Sequence, residues 1–180
     1  LQDYGRAIVV GDRSFGKGTV QTLLDLPEGQ LKITESKFYR ISGDSTQHRG
    51  VIPDISYPSL LQHDEIGESS LDKALDWDRI APVRHKDYGV VDAILPTLVA
   101  KHTKRANSDP DFQYIWDQKA LVEKVRSAEG LPLNEAERIA QRTSQEIQYL
   151  AIENARRQAK GLNTLASLVD LVDEGDDSSD

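Results

Sequence analysis

Lys17 stands between two glycines in Gly11-Asp12-Arg13-Ser14-Phe15-Gly16-Lys17-Gly18-Thr19-Val20-Gln21, directly after the apolar run Ala7-Ile8-Val9-Val10. Glycine on either side lets the backbone bend sharply around the amine. Three chemistries could use a lysine so placed. Gly11 and Gly16-Lys17 match the G-x-x-x-x-G-K of a phosphate loop, which also follows a strand. That loop needs a helix starting at its lysine, to aim N–H groups and the helix dipole at the phosphates. Here Thr19-Val20-Gln21-Thr22-Leu23-Leu24 is β-leaning, and Pro27-Glu28-Gly29 ends it. Ser14 and Lys17 also form a Ser-x-x-Lys pair, but the two would have to share one helical turn and the flanking glycines disfavour helix. The third chemistry is general-base catalysis. A lysine whose ammonium is desolvated can deprotonate a serine. Ile8, Val9, Val10, Phe15, Val20, Leu23 and Leu24 would supply the apolar setting, and the Gln21 amide could orient the amine without adding charge. On a straight strand Lys17 and Gln21 would share a face about 13 Å apart, so their contact requires a turn, which Gly18 permits. A glycine-flanked lysine can also mark nothing more than a solvated turn.

These residues need elements to hold them. Leu1–Tyr4 reads as a last helical turn capped by Gly5, and 7–10 as a buried strand. Residues 19–26 and 30–41 read as strands joined in a hairpin at Pro27-Glu28-Gly29. Gly43-Asp44-Ser45 is a turn, and Pro53 allows only a short edge strand after it. From 59 to about 89 the pattern is irregular, with Ser70–Leu75 as one short helix and Trp77 as an anchor on the core. Residues 91–106 are helical, with a start near Leu95 or a kink at Pro96. Asp109-Pro110 opens a helix running to Glu129, and Asn134-Glu135-Ala136-Glu137 opens another reaching Lys160. Ala136, Ile139, Ala140, Thr143, Ile147, Leu150, Ala151 and Ala155 form a stripe on the second. Phe112, Ile115, Trp116, Val122 and Val125 form its partner, which predicts an antiparallel helical hairpin. Leu165, Leu168, Val169 and Val172 suggest a last short helix or packed strand.

Taken in order, Gln2-Asp3-Tyr4-Gly5-Arg6-Ala7, Phe15-Gly16-Lys17-Gly18-Thr19-Val20-Gln21, Lys37-Phe38-Tyr39-Arg40, Ser45-Thr46-Gln47, Gly50-Val51-Ile52-Pro53-Asp54-Ile55 and Leu71–Asp78 carry a likeness. The chain resembles the carboxyl-terminal processing (tail-specific) serine proteases, above all their large periplasmic branch with an added helical C-terminal domain. The resemblance implies an α+β chain: the C-terminal part of a ClpP/crotonase-like α/β core over 1–60, an irregular connector over 61–107, and a helical domain over 108–180. It implies a Ser–Lys dyad endopeptidase acting near unstructured C-terminal tails, with Lys17 as base and Gln21 as third member. The nucleophilic serine, the oxyanion donors and the tail-binding PDZ domain would lie upstream of Leu1, so the chain alone is expected to be inactive. Substrate proteins and an adaptor protein are the implied partners, and the periplasm the implied location. A competing class is a non-catalytic helical binding or assembly module; a nucleotide-binding phosphate loop is the second alternative.

Composition narrows the choice further. The chain has 180 residues, no cysteine and no methionine, so it holds no disulfide or thiolate and reads as a fragment. Net charge is −8, but six of the 30 acids fall from Asp170 onward with no base among them, leaving 24 acids against 22 bases. That body offers no basic patch for nucleic acid, and the acidic end reads as a solvated tail. His48, His63, His85 and His102 lack metal-ligand spacing and read as surface residues, so neither metal nor cofactor is expected. A fragment lacking neighbouring strands would expose apolar surface, so self-association through residues 1–60 is expected.

Overall fold

Gln2–Tyr4 forms one 3-10 turn, which Gly5 closes in the left-handed conformation, its N–H donating to the Gln2 carbonyl at 2.9 Å. The computed structural model describes residues 1–62, 65–128 and 130–171 of the chain. Two compact units divide it, Leu1–Lys101 and His102–Asp180.

In the first unit, strand β1 (Val10–Gly11) pairs in parallel with β4 (Ile55–Ser56). Strands β2 (Thr19–Asp25) and β3 (Gln30–Lys37) form an antiparallel hairpin with a bulge between Val20 and Gln21. Its turn closes at Pro27-Glu28-Gly29, as the sequence predicts. The strand expected over 7–10 shrinks to two residues, and Val10 is 48% exposed rather than buried. Among the described residues β4 is its ladder partner, which leaves the other edge unpaired and Val10 open to solvent. β3 stops at Lys37 rather than running to Ile41. Phe38 donates to the Gly18 carbonyl, Tyr39 bridges to Ser45, and the Arg40 guanidinium takes both oxygens of the Asp3 carboxylate.

The helix expected at Ser70–Leu75 is a 3-10 turn at Glu68–Ser70. The chain is instead held out along residues 37–45. Lys37 Nζ donates to the Asp76 carbonyl and to Asp78 Oδ1, Tyr39 donates to Asp78 Oδ2, and Trp77 Nε1 donates to the Ser45 carbonyl at 2.9 Å. Arg49 lies over the Trp77 ring, 3.4 Å from its centroid. Trp77 is thus the half-buried anchor expected of it. The Lys37 ammonium holds the Asp78 carboxyl below its ordinary range, and the hydrogen bond to Asp78 raises the Tyr39 phenol.

Helix α1 (Val90–Ala106) starts five residues before Leu95 and carries Pro96 in its interior. Proline there forgoes one backbone bond and leaves the carbonyl four residues earlier without its helical donor. The second unit holds α2 (Pro110–Arg126) and α3 (Glu135–Ala159) as an antiparallel pair. Both N-caps are as predicted: Asp109 accepts from the Asp111 and Phe112 amides, and Asn134 from the Glu137 amide. α2 ends at Arg126, capped by Ser127; Glu129 lies outside the described residues.

Of the apolar stripe predicted for α3, the small residues Ala151 and Ala155 border α2, but the long ones do not. Ile139 and Ile147 are 59% and 62% exposed. Gln141, Gln148, Ile152 and Arg156 face α2 beside those alanines, on the side away from the two isoleucines, opposite Leu121, Lys124 and Tyr114. At the end of the pair away from its connecting loop, Arg156 and Lys160 grip Asp111, at 2.6 and 2.9 Å, and the buried Glu153 pairs with Arg156 and Arg157. These ion pairs and the two caps fix the register, so the longer apolar residues fall outside the seam. Trp116 is half-buried beside Phe112, which meets His102 edge-on. Beyond α3 the Asn154 amide pairs with both backbone groups of Leu165, and a helical turn begins at Val169. Val172 and the acidic end from Asp173 lie outside the described residues, as does His63.

Candidate active site

The Lys17 loop is built by backbone lying on backbone. Gly16 has φ 91°, and a Cβ there would meet the His48 carbonyl oxygen at 2.8 Å. A Cβ on Gly18 would come within 2.6 Å of the Gln47 nitrogen. The two glycines therefore have separate tasks: Gly16 turns the chain, and Gly18 lets it press against 45–48. His48 N–H donates to the Gly16 carbonyl at 2.8 Å, and the Gln47 side chain accepts from Gly18 N–H at 2.7 Å. Ser14 donates its N–H to the Val51 carbonyl, and its Oγ accepts from Val51 N–H at 2.8 Å. Those bonds commit Ser14 to holding the loop. No helix joins it to Lys17, and β2 rather than a helix follows the lysine, so the phosphate-loop arrangement has no helix N-terminus to use.

Lys17 and Gln21 come together. Lys17 Nζ donates to Gln21 Oε1 and to Thr19 Oγ1, each at 3.0 Å. Gln21 Nε2 in turn reaches Thr34 Oγ1 at 3.3 Å across the hairpin, which orients the amide oxygen toward the lysine. The expected turn at Gly18 is not what joins them. Lys17 lies just before β2, residues 17, 19 and 21 present their side chains together, and the two long side chains span the gap; the unpaired residue of the bulge, Glu35, belongs to β3. Thr19 is the member that sequence reasoning missed, although alternation from Lys17 already put its hydroxyl on the same face. The apolar setting expected around Lys17 is absent here: the lysine is exposed, and Phe15 and Val20 are 47% and 45% exposed.

Among the described residues no three His, Cys, Asp or Glu side chains converge where a cation could sit. Two of the histidines expected at the surface do packing work instead. His48 is half-buried at φ 61° behind the lysine loop, and His102 is half-buried against Phe112. His85 is exposed, edge-on to Tyr4.

A glycine-bent loop presenting a lysine to a strand glutamine sits in a segment, residues 1–57, that matches the model of peptidase family S41. Residues 61–180 match the model described as the C-terminal domain of tail specific protease. The chain belongs to the tail-specific protease family. It is 34% identical, over 95% of its length, to the tail-specific protease of Haemophilus influenzae, of which it covers 26%. It is also 50% identical over 31% of its length to the carboxy-terminal-processing protease of Bartonella bacilliformis, and 39% identical over 32% to the carboxyl-terminal-processing protease of Picosynechococcus. It covers 13% and 14% of those two proteins, so the chain spans about a quarter of the first relative and less of the other two.

Proposed function

We propose that this chain supplies the general base of a serine endopeptidase that degrades or processes proteins from unstructured C-terminal tails. The observation that carries the reading is the hold on Lys17 Nζ by Gln21 Oε1 and Thr19 Oγ1 within the family segment. A neutral lysine amine has two N–H bonds and one lone pair. Spending both N–H bonds on Gln21 and Thr19 leaves the lone pair free to accept a proton. A serine hydroxyl brought within reach attacks the scissile carbonyl and passes its proton to Lys17, which returns it to the departing amine. Water, deprotonated by the same lysine, then releases the acyl group from the serine. The serine is contributed from outside this chain, by a ClpP/crotonase-like core that covers the now exposed loop and desolvates the amine. The 180 residues alone are therefore inactive. A periplasmic location and an adaptor that delivers substrates belong to the same reading.

The test is made in the full-length polypeptide that carries this chain. Lys17→Ala and Lys17→Arg each abolish cleavage of an unstructured peptide while thermal unfolding stays the same, because a guanidinium cannot accept the proton. Substantial activity in the arginine variant sinks the reading and leaves the helical hairpin as the working part.

A further inference from the structure

Polar side chains, not hydrocarbon, fill the space behind the lysine loop. Gln47 is fully buried, Glu68 is 5% exposed, and Ser45 and Thr19 close the cluster. Gln47 faces two ways. Its Oε1 accepts from Gly18 N–H at 2.7 Å, and its Nε2 donates to Glu68 Oε1 at 3.0 Å. The Gln47 backbone is itself fixed, its N–H donating to Ser45 Oγ at 3.0 Å. Glu68 also donates its backbone N–H to the Phe15 carbonyl at 2.9 Å. The loop is thus gripped on both sides of Lys17: at Phe15 by the Glu68 backbone, and at Gly18 by the Glu68 carboxylate through Gln47.

Burying a carboxylate and an amide is costly compared with hydrocarbon of the same volume. What the pair supplies that leucines could not is a directed hydrogen bond onto one backbone N–H. That N–H belongs to the residue between Lys17 and Thr19, so its position sets how Nζ meets Thr19 and Gln21. The two partners also come from different family segments. Gln47 lies in the part matched to peptidase family S41 and Glu68 in the part matched to the C-terminal domain, yet both fall in the unit Leu1–Lys101. The same unit ties Asp76, Asp78 and Ile80 to Lys37, Ser45 and Gly43.

We propose that Gln47 and Glu68 are positioning residues that clamp the Lys17 loop, and that residues 65–101 complete the protease core. The proposal rests on Lys17 being the proton acceptor. In the full-length enzyme, Gln47→Glu sets two carboxylates about 3 Å apart and pushes the loop away. Loss of about 100-fold in kcat at unchanged KM is expected, the scale of an ångström's misplacement of a reacting group. Glu68→Gln keeps an acceptor for Gln47 and retains activity. The swap Gln47→Glu with Glu68→Gln lets residue 47 accept from both Gly18 and residue 68, and restores kcat. A purely structural pair would lower the melting temperature of the single variant while each folded molecule kept its kcat, and that result overturns the clamp. Should Gln47→Glu not fold, Glu68→Ala decides: reduced kcat at unchanged KM supports the clamp, and parental kcat overturns it. Full kcat in Gln47→Glu and Glu68→Ala beside an inactive Lys17→Ala removes the clamp alone. An active Lys17→Ala removes the base assignment and the clamp with it.

Discussion

Three hydrogen bonds define what Lys17 can do: its own to Gln21 and Thr19, and that of Gln21 to Thr34. Gln21→Ala removes the first acceptor and leaves Thr19, so the full-length enzyme is expected to keep part of its activity. Once Lys17 holds the proton, its bond to Gln21 is one to a charged group, worth about 1.5–3 kcal/mol, so kcat should fall roughly 10- to 100-fold. A loss as complete as that of Lys17→Ala would show that the glutamine does more than orient the amine. Gly16→Ala forces a Cβ against the His48 carbonyl at a positive φ. It should destabilise the first unit by at least about 1–2 kcal/mol in chemical denaturation, whereas an unchanged midpoint would mean the loop relaxes freely.

Helices α2 and α3 owe their register to ends rather than to a greasy seam. Asp111 at the start of α2 is held by Arg156 first and Lys160 next, and both cations keep its carboxyl below the ordinary carboxylate range. A depressed carboxyl contributes stability that is present above its unfolded value, near pH 4, and is lost as pH falls through the folded value. The second unit should therefore lose stability on acidification below about pH 4. Asp111→Asn should flatten that dependence in thermal unfolding followed between pH 2 and 6 (about two units either side of the unfolded value); an unaltered pH profile would assign acid sensitivity elsewhere. Asn134→Ala removes the cap of α3 and should cost about 1 kcal/mol.

For the molecule as a whole, the β2–β3 hairpin is the conspicuous surface. Val20, Leu23, Leu24, Leu26, Leu31 and Ile33 are all 45–57% exposed, on both faces of a two-stranded ribbon. Such a ribbon is marginal alone and adhesive. The 180-residue chain is expected to self-associate in sedimentation velocity, and Leu23→Lys with Ile33→Lys should shift it toward monomer; a monomeric parent chain would show that the ribbon is not adhesive. A polypeptide of residues 102–180, with two capped helices and its own ion pairs, should give a helical circular dichroism spectrum. A coil spectrum would make the helices dependent on the first unit.

What the sequence determined by itself is local. Glycines around Lys17, Gln21 four residues on, the Pro27-Glu28-Gly29 turn and the caps at Asp109 and Asn134 act through neighbours in the chain, and each appears where the pattern put it. Gly16 and Gly18 were legible as freedom to bend, but their reason is the backbone of 47–50 lying against them, 30 residues away. Tertiary structure alone decided that Gln47 and Glu68 meet behind the lysine, and that α3 turns Gln141 and Gln148 rather than Ile139 and Ile147 toward α2. Buried polar pairing leaves no periodicity to read. Helix register follows from ion pairs between residues 45 to 49 positions apart, whose geometry exists only once the chain has folded.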